Sequence, residues 1–162
     1  MSIALLPGSY DPITTGHLDI VARACQQYDE VVVAVMNNAA KSYMFDMSMR
    51  AEMARCATAH LKQVRVVADE GMLVDLFERL GADVIVKGLR NDKDLAYEQE
   101  MAAFNLARNP RAKTVFLRAD ARFSEVSSTR VRTMLREGKA PHGLLPPEVI
   151  SYLITKGVLR NA

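Results

Sequence analysis

The residues best suited to chemistry in this chain are His17, Lys41, Lys87, Arg90 and the hydroxyl run Ser127, Ser128 and Thr129. His17 closes the stretch Pro-Gly-Ser-Tyr-Asp-Pro-Ile-Thr-Thr-Gly-His at 7–17. An apolar run at 3–6 leads into it and an amphipathic segment from Leu18 leads out, so the pattern predicts strand, loop, helix. Such a turn sets a loop at the carboxyl end of a strand beside a helix N-terminus. Free backbone N–H groups and the positive end of the helix dipole favour phosphate there. Gly8 is expected to permit close backbone approach, Asp11-Pro12 to set a tight turn, and Gly16-His17 to put an imidazole in the first helical turn. The dinucleotide fingerprint G-x-G-x-x-G is absent, and no Gly-Lys-Ser/Thr marks a P-loop. An imidazole in this position, protonated or donating a hydrogen bond, suits charge developing on a phosphoryl oxygen.

Each candidate also has a purely structural reading. A histidine in this position, taken alone, as readily caps its helix. Lys41 lies in a loop after the second predicted strand, where lysines are ordinarily solvated; its claim is that the loop opens over the same sheet edge. Lys87 and Arg90 read better as ligands, because they directly follow a buried strand predicted at 83–86. Arg90 offers a fork of donors and Lys87 a point charge. The hydroxyls of Ser127, Ser128 and Thr129 cap a helix and suit phosphate equally, and the two roles are compatible. Arg130 and Arg132 read as the polar face of that helix, and Tyr97-Glu98 shows nothing specific by chemistry alone. The nine methionines read as core filling. His60 and His142 lack neighbours at metal-ligand spacing.

The elements that must position these side chains follow from periodicity. Helices are predicted at 16–27, from an Asp46 cap to residue 60, at 72–80 closed by Gly81, at 92–108, from the 127–129 cap to Gly138, and from Pro146-Pro147 to about 156. Strands are predicted at 3–6, 31–36, 64–67, 83–86 and 114–117. Strands alternating with helices imply one α/β domain spanning 1–162, a doubly wound, Rossmann-like, five-stranded parallel sheet. In such folds ligands sit at the carboxyl ends of strands where the strand order reverses. The loops after strands one, two, four and five carry every candidate named above.

Composition sets the class. The chain has 162 residues, 49% hydrophobic and 25% charged, enough for a real core. A net charge of +2 is too mild to indicate nucleic acid. Cys25 and Cys56, both in helical patterns, read as reduced core thiols. With no apolar run of membrane-spanning length and no leader pattern, the expectation is a soluble cytoplasmic protein with no membrane partner.

The motifs resemble those of a known family. Gly8 to His17 is similar to the G-[TS]-F-D-P-[IL]-T-x-G-H signature of bacterial phosphopantetheine adenylyltransferases, members of a nucleotidyltransferase superfamily marked by H/T-x-G-H. Lys87-Gly88-Leu89-Arg90 resembles the family's R-G-L-R, Tyr97-Glu98 its Y-E, and Val126-Ser127-Ser128-Thr129 its I-S-S-[ST]. Order, spacing and length agree over nearly the whole chain. Thr14 favours this family over nicotinate-nucleotide adenylyltransferases, which usually carry histidine there. The departures are Lys87 for arginine, Tyr10 for phenylalanine, Asp94-Leu95-Ala96-Tyr97-Glu98 for D-F-E-Y-E, and a charged loop at 118–125.

The resemblance implies transfer of the adenylyl group of ATP to 4′-phosphopantetheine, giving dephospho-coenzyme A and pyrophosphate. It implies His17, Lys41, Arg90 and Ser128 as catalytic. It implies Ser9, Tyr10, His17, Gly88, Leu89, Arg90, Glu98, Phe123, Ser124, Glu125, Val126, Ser127, Ser128 and Thr129 on ATP, and Ser9, Lys41, Val74 and Lys87 on the acceptor. It also implies magnesium with ATP, feedback binding of coenzyme A and a homohexamer. Two rivals stand beside it: a nucleotidyltransferase with another acceptor such as nicotinate mononucleotide, and a non-catalytic sensor of adenine nucleotides.

Overall fold

The computed structural model describes residues 1–160. Five parallel strands are β1 (Ile3–Gly8), β2 (Glu30–Met36), β3 (Val64–Asp69), β4 (Val84–Leu89) and β5 (Thr114–Arg118), in the sheet order β3-β2-β1-β4-β5. Six helices connect and follow them: α1 (Thr15–Gln27), α2 (Met47–Thr58), α3 (Leu73–Leu80), α4 (Leu95–Arg108), α5 (Ser128–Arg136) and α6 (Pro147–Thr155). The strand order reverses between β1 and β4, as a doubly wound sheet requires.

Side-chain alternation along the strands builds two cores. Ala4, Leu6, Val31, Val33, Val35, Val84 and Val86 face one side, packed with residues of α1, α2, α5 and α6. Leu5, Val32, Ala34 and Ile85 face the other, against Val74, Leu76 and Phe77 of α3. Strands buried on both faces leave no polar alternation to read, which is why they appear in the sequence as continuous apolar runs. Tyr152 Oη of α6 donates to Glu52 Oε2 of α2 at 2.7 Å, fastening the last helix to the larger core.

Most helix ends fall where their caps predict. Asp46 accepts from the Met49 N–H, Ser127 accepts from the Arg130 N–H, and Gly81 closes α3 in the left-handed region at φ 64°. Two expectations need correction. The segment predicted as a helix from 92 begins as a 3-10 turn at Asp92–Asp94 before α4 proper, and the charged loop at 118–125 contains a further one at Ala121–Phe123. The second correction matters more: β4 continues to Leu89, so Lys87, Gly88 and Leu89 lie within the strand and only Arg90 follows it. The cause is β5, which pairs Lys87 with Phe116, Gly88 with Leu117 and Leu89 with Arg118. On the other side β1 pairs with β4 only at Ala4–Val84 and Leu5–Ile85, so the strands part beyond that point.

Gly88 is demanded by the helix packed across this opening. A Cβ there would stand 2.6 Å from Ile20 Cγ1 of α1. Gly88→Ala is expected to destabilise the fold by about 1–3 kcal/mol through overpacking. Chemical denaturation should show a lowered midpoint, and Ile20→Ala combined with Gly88→Ala should cost less than the sum of the two single variants.

Candidate active site

The loop from Ser9 to Thr14 is shaped by contacts that begin with Tyr10. Its backbone φ of 47° lies in the left-handed region, unfavourable for a side chain of this size. Its hydroxyl donates to the Leu6 carbonyl at 2.9 Å, and its ring fills the space beside Gly8, where a Cβ would stand 2.9 Å from Tyr10 Cε2. The ring also meets the His17 imidazole edge-on, with centroids 5.0 Å apart. Gly8 therefore makes room for Tyr10, where the sequence had suggested approach of a ligand.

The two nitrogens of His17 have separate tasks. Thr14 caps α1 and forms a reciprocal box with it: the His17 N–H donates to Thr14 Oγ1 at 3.2 Å, and the Thr14 N–H donates to His17 Nδ1 at 3.0 Å. An Nδ1 that accepts from a backbone N–H cannot carry a proton, so the neutral ring holds its hydrogen on Nε2. Burial, and then the nearby Arg90 and Lys87 cations, lower the His17 pKa from 6.5 to about 4. Of the two forms expected from sequence, the structure selects the neutral imidazole donating from Nε2.

The helix N-termini offer fewer free donors than the sequence suggests. At α1 the Thr15 N–H donates to the Leu144 carbonyl at 2.9 Å and the His17 N–H to Thr14, leaving the Gly16 N–H. At α5 the Arg130 N–H is taken by Ser127 Oγ, and the Ser128 hydroxyl donates to the Pro12 carbonyl at 2.8 Å. Ser128 thus ties α5 to the first loop, and the backbone N–H groups of Ser128 and Thr129 have no partner among the described residues, which leaves them for an anion.

Three side chains whose structural roles the sequence does not mark anchor this geometry. Asp11, 2% exposed, accepts from the backbone N–H groups of Met44 at 2.9 Å and Phe45 at 3.0 Å. Arg132, read as polar surface, donates to the Asp11 carbonyl at 2.8 Å and to Thr129 Oγ1 at 3.1 Å. Arg50, 1% exposed, donates to the carbonyls of Phe45, Ser9 and Met36 at 3.0, 2.9 and 3.2 Å, and to Asn37 Oδ1. No local pattern marks these side chains, because most of their partners are distant in sequence.

Two clefts open where β1 and β4 part. The larger, about 550 Å³, is lined by Ser9, Tyr10, His17, Lys41, Lys87, Gly88, Leu89, Arg90, Glu98, Val126, Ser127, Ser128 and Thr129, with Arg132 beside them. Phe123, Ser124 and Glu125, assigned to ATP by resemblance, do not line it; Phe123 instead packs beside Gly16. The smaller, about 290 Å³, is lined by Ser9, Lys41, Val74 and Lys87 together with Leu73, Tyr97, Glu98, Met101, Phe104, Asn105 and Thr114. Its α4 wall was not anticipated; Tyr97, Met101 and Phe104, spaced along one side of the helix, are the signal that was available. Ser9, Lys41, Lys87 and Glu98 border both clefts. Lys87 Nζ lies 3.6 Å from Glu98 Oε2, and Arg90 lies 3.8 Å from Asp94 Oδ2, both long contacts that an incoming anion can displace. Thr114 Oγ1, in the smaller cleft, is buried and has no hydrogen-bond partner among the described residues. Among the described residues, no three His, Cys, Asp or Glu side chains are grouped to hold a metal ion.

Residues 5–134 match the family described as cytidylyltransferase-like. Among curated proteins, the chain is 44% identical over 144 residues to the phosphopantetheine adenylyltransferase of Symbiobacterium thermophilum, covering 89% of each chain. It is 41% identical to that of Heliobacterium modesticaldum over 156 residues, 96% of this chain and 93% of the relative. It is 37% identical to that of Clostridium botulinum strain Alaska E43, over 96% of this chain and 98% of the relative.

The His17 assignment has a direct test in nitrogen NMR of the imidazole. The ring is expected to be neutral at pH 7 with its proton on Nε2, and to titrate near pH 4. The folded chain then binds fewer protons than the unfolded one between about pH 4 and 6.5, so this group's effect is to lower stability as pH falls through that window. A ring that titrates at 6.5 or above would contradict the geometry.

Proposed function

The chain belongs to the cytidylyltransferase-like family and, within it, to the phosphopantetheine adenylyltransferases, and from that membership we propose that it transfers the adenylyl group of ATP to 4′-phosphopantetheine. The products are dephospho-coenzyme A and pyrophosphate. The observation that carries this reading is the meeting of two clefts at Ser9, Lys41, Lys87 and Glu98. The larger, with the α5 N-terminus, Arg90 and His17, suits a nucleoside triphosphate. The smaller, with an apolar α4 wall and the polar groups of Asn105 and Thr114, suits a thin arm containing amides.

An oxygen of the acceptor phosphate attacks the α-phosphorus in line, and the bond from that phosphorus to the bridging oxygen of the β-phosphate breaks. No protein nucleophile takes part. Holding both reactants end to end accounts for about 7–11 kcal/mol of the barrier. His17 donates from Nε2 to a phosphoryl oxygen as its charge grows, while Lys41, Lys87 and Arg90 balance the phosphates. The backbone N–H groups of Ser128 and Thr129 hold the departing pyrophosphate.

Magnesium is proposed to arrive with ATP, bound to its phosphates as part of the substrate. Coenzyme A, which carries the same pantetheine arm as the acceptor, is proposed to bind the smaller cleft as a feedback ligand. A homo-oligomer, with a hexamer as the proposed number, would cover Leu106 of α4 and Val115 of β5, exposed apolar residues that line neither cleft. A cytoplasmic location is proposed from the free cysteines, and among the described residues no helix is long and apolar enough to cross a membrane.

The test is pyrophosphate release from ATP and magnesium with 4′-phosphopantetheine or nicotinate mononucleotide as acceptor. Release is expected only with phosphopantetheine. Release with the other alone would change the acceptor, and ATP binding without release would favour a sensor. His17→Ala is expected to lower kcat by about 10²–10³-fold, the scale of losing one aimed donor, with ATP affinity little changed.

A further inference from the structure

The connection between β2 and α2, residues 37–46, carries Lys41 to the junction of the two clefts. Both of its ends are fixed. Arg50 binds the Met36 carbonyl and Asn37 Oδ1 at one end, and Asp11 binds the Met44 and Phe45 N–H groups at the other. Lys41 itself is exposed, and among the described residues its ammonium has no ion-pair partner. Among the described residues the Lys41 side chain makes no hydrogen bond or ion pair, so its placement rests on the backbone turn beneath it.

That turn is built on Asn38. The Lys41 N–H donates to the Asn38 carbonyl at 2.9 Å, and the Ala40 N–H donates to Asn38 Oδ1 at 3.0 Å. One side chain then holds Asn38. The Asn38 N–H donates to Tyr43 Oη, and the Tyr43 hydroxyl donates to the Asn38 carbonyl at 3.3 Å. The ring of the same tyrosine stacks on the Arg50 guanidinium, whose central carbon lies 4.1 Å from the ring centroid. Arg50 is buried, and among the described residues no carboxylate lies within ion-pairing distance of it. The electron-rich face of Tyr43 is thus one of the few negative partners this cation has.

We propose that Tyr43 is the positioning residue of Lys41: its ring is seated on the buried Arg50 cation, and its hydroxyl closes the turn that presents the Lys41 ammonium to the reacting phosphates. The proposal rests on the role given to Lys41 under Proposed function. The phenol is needed in full, since the ring without the hydroxyl leaves Asn38 unclasped, and a hydroxyl without the ring has no seat.

The experiment compares Tyr43→Phe, Lys41→Ala and the double variant in steady-state pyrophosphate release with 4′-phosphopantetheine. Amide exchange across 38–42 and thermal midpoints are measured in parallel. Tyr43→Phe keeps the stacked ring, so its thermal midpoint is expected to stay near that of the unmodified chain. Its amides at 38–42 should exchange faster, and kcat should fall about 5-fold, the worth of one net hydrogen bond, with both KM values within about twofold. The double variant should be no slower than Lys41→Ala alone, because the clasp has nothing left to aim. A slow Lys41→Ala beside a Tyr43→Phe with unchanged kcat and exchange overturns the proposal alone. Losses that multiply in the double variant overturn it as well. Lys41→Ala at full rate overturns both the role of Lys41 and the proposal built on it.

Discussion

A buried guanidinium with no carboxylate in ion-pairing distance among the described residues is the constraint on which the site depends. Arg50 is buried in α2, beside residues of the larger core, and removing such a charge from water is costly unless its donors are filled. They are filled by carbonyls from the loop after β1, from the end of β2 and from the residue before the α2 cap. Those segments come from separate parts of the chain, and they can gather around Arg50 in few ways. Asp11, a buried charge of the opposite sign, accepts from two backbone N–H groups of the second loop and has Arg132 Nη1 3.9 Å from its Oδ2. Between them the first two loops at the strand ends become one rigid piece, and Ser9, His17 and Lys41 are held by that piece.

Much of this was legible in the sequence, and the parts that were not share a physical cause. Buried strands announced themselves as apolar runs, and caps such as Asp46, Ser127 and Gly81 announced themselves because capping is a local bond between near neighbours. The extension of β4 through Leu89 was hidden, since it depends on β5, a partner some thirty residues away. The roles of Asp11, Arg50 and Arg132 were hidden for the same reason; Arg132 and Asp11 are 121 positions apart. The candidate site was legible as a set of residue types at strand ends. Which N–H groups were already spent, and which imidazole nitrogen was free, required the fold.

The electrostatics of the site explain why a neutral histidine belongs in it. Lys41, Lys87, Arg90 and Arg132 already line the larger cleft, beside the N-termini of two helices. A further cation would raise the cost of holding the site together before any phosphate arrives. It would also oppose the bond from the Thr14 N–H that orients the ring. A neutral donor adds direction without adding charge, and direction is what the in-line displacement proposed above needs most.

The long helix α4 forms one wall of the smaller cleft, yet of its own residues only Asn105 is buried. Few internal contacts therefore hold that wall against the sheet. Whatever occupies the cleft and whatever covers the outer side of α4 draw on the same ordering free energy, so each lowers the cost of the other. In the homo-oligomer proposed above, the reciprocity of linked equilibria would make affinity in this cleft depend on protomer concentration as well as on sequence, and dilution would then regulate it without a separate effector site.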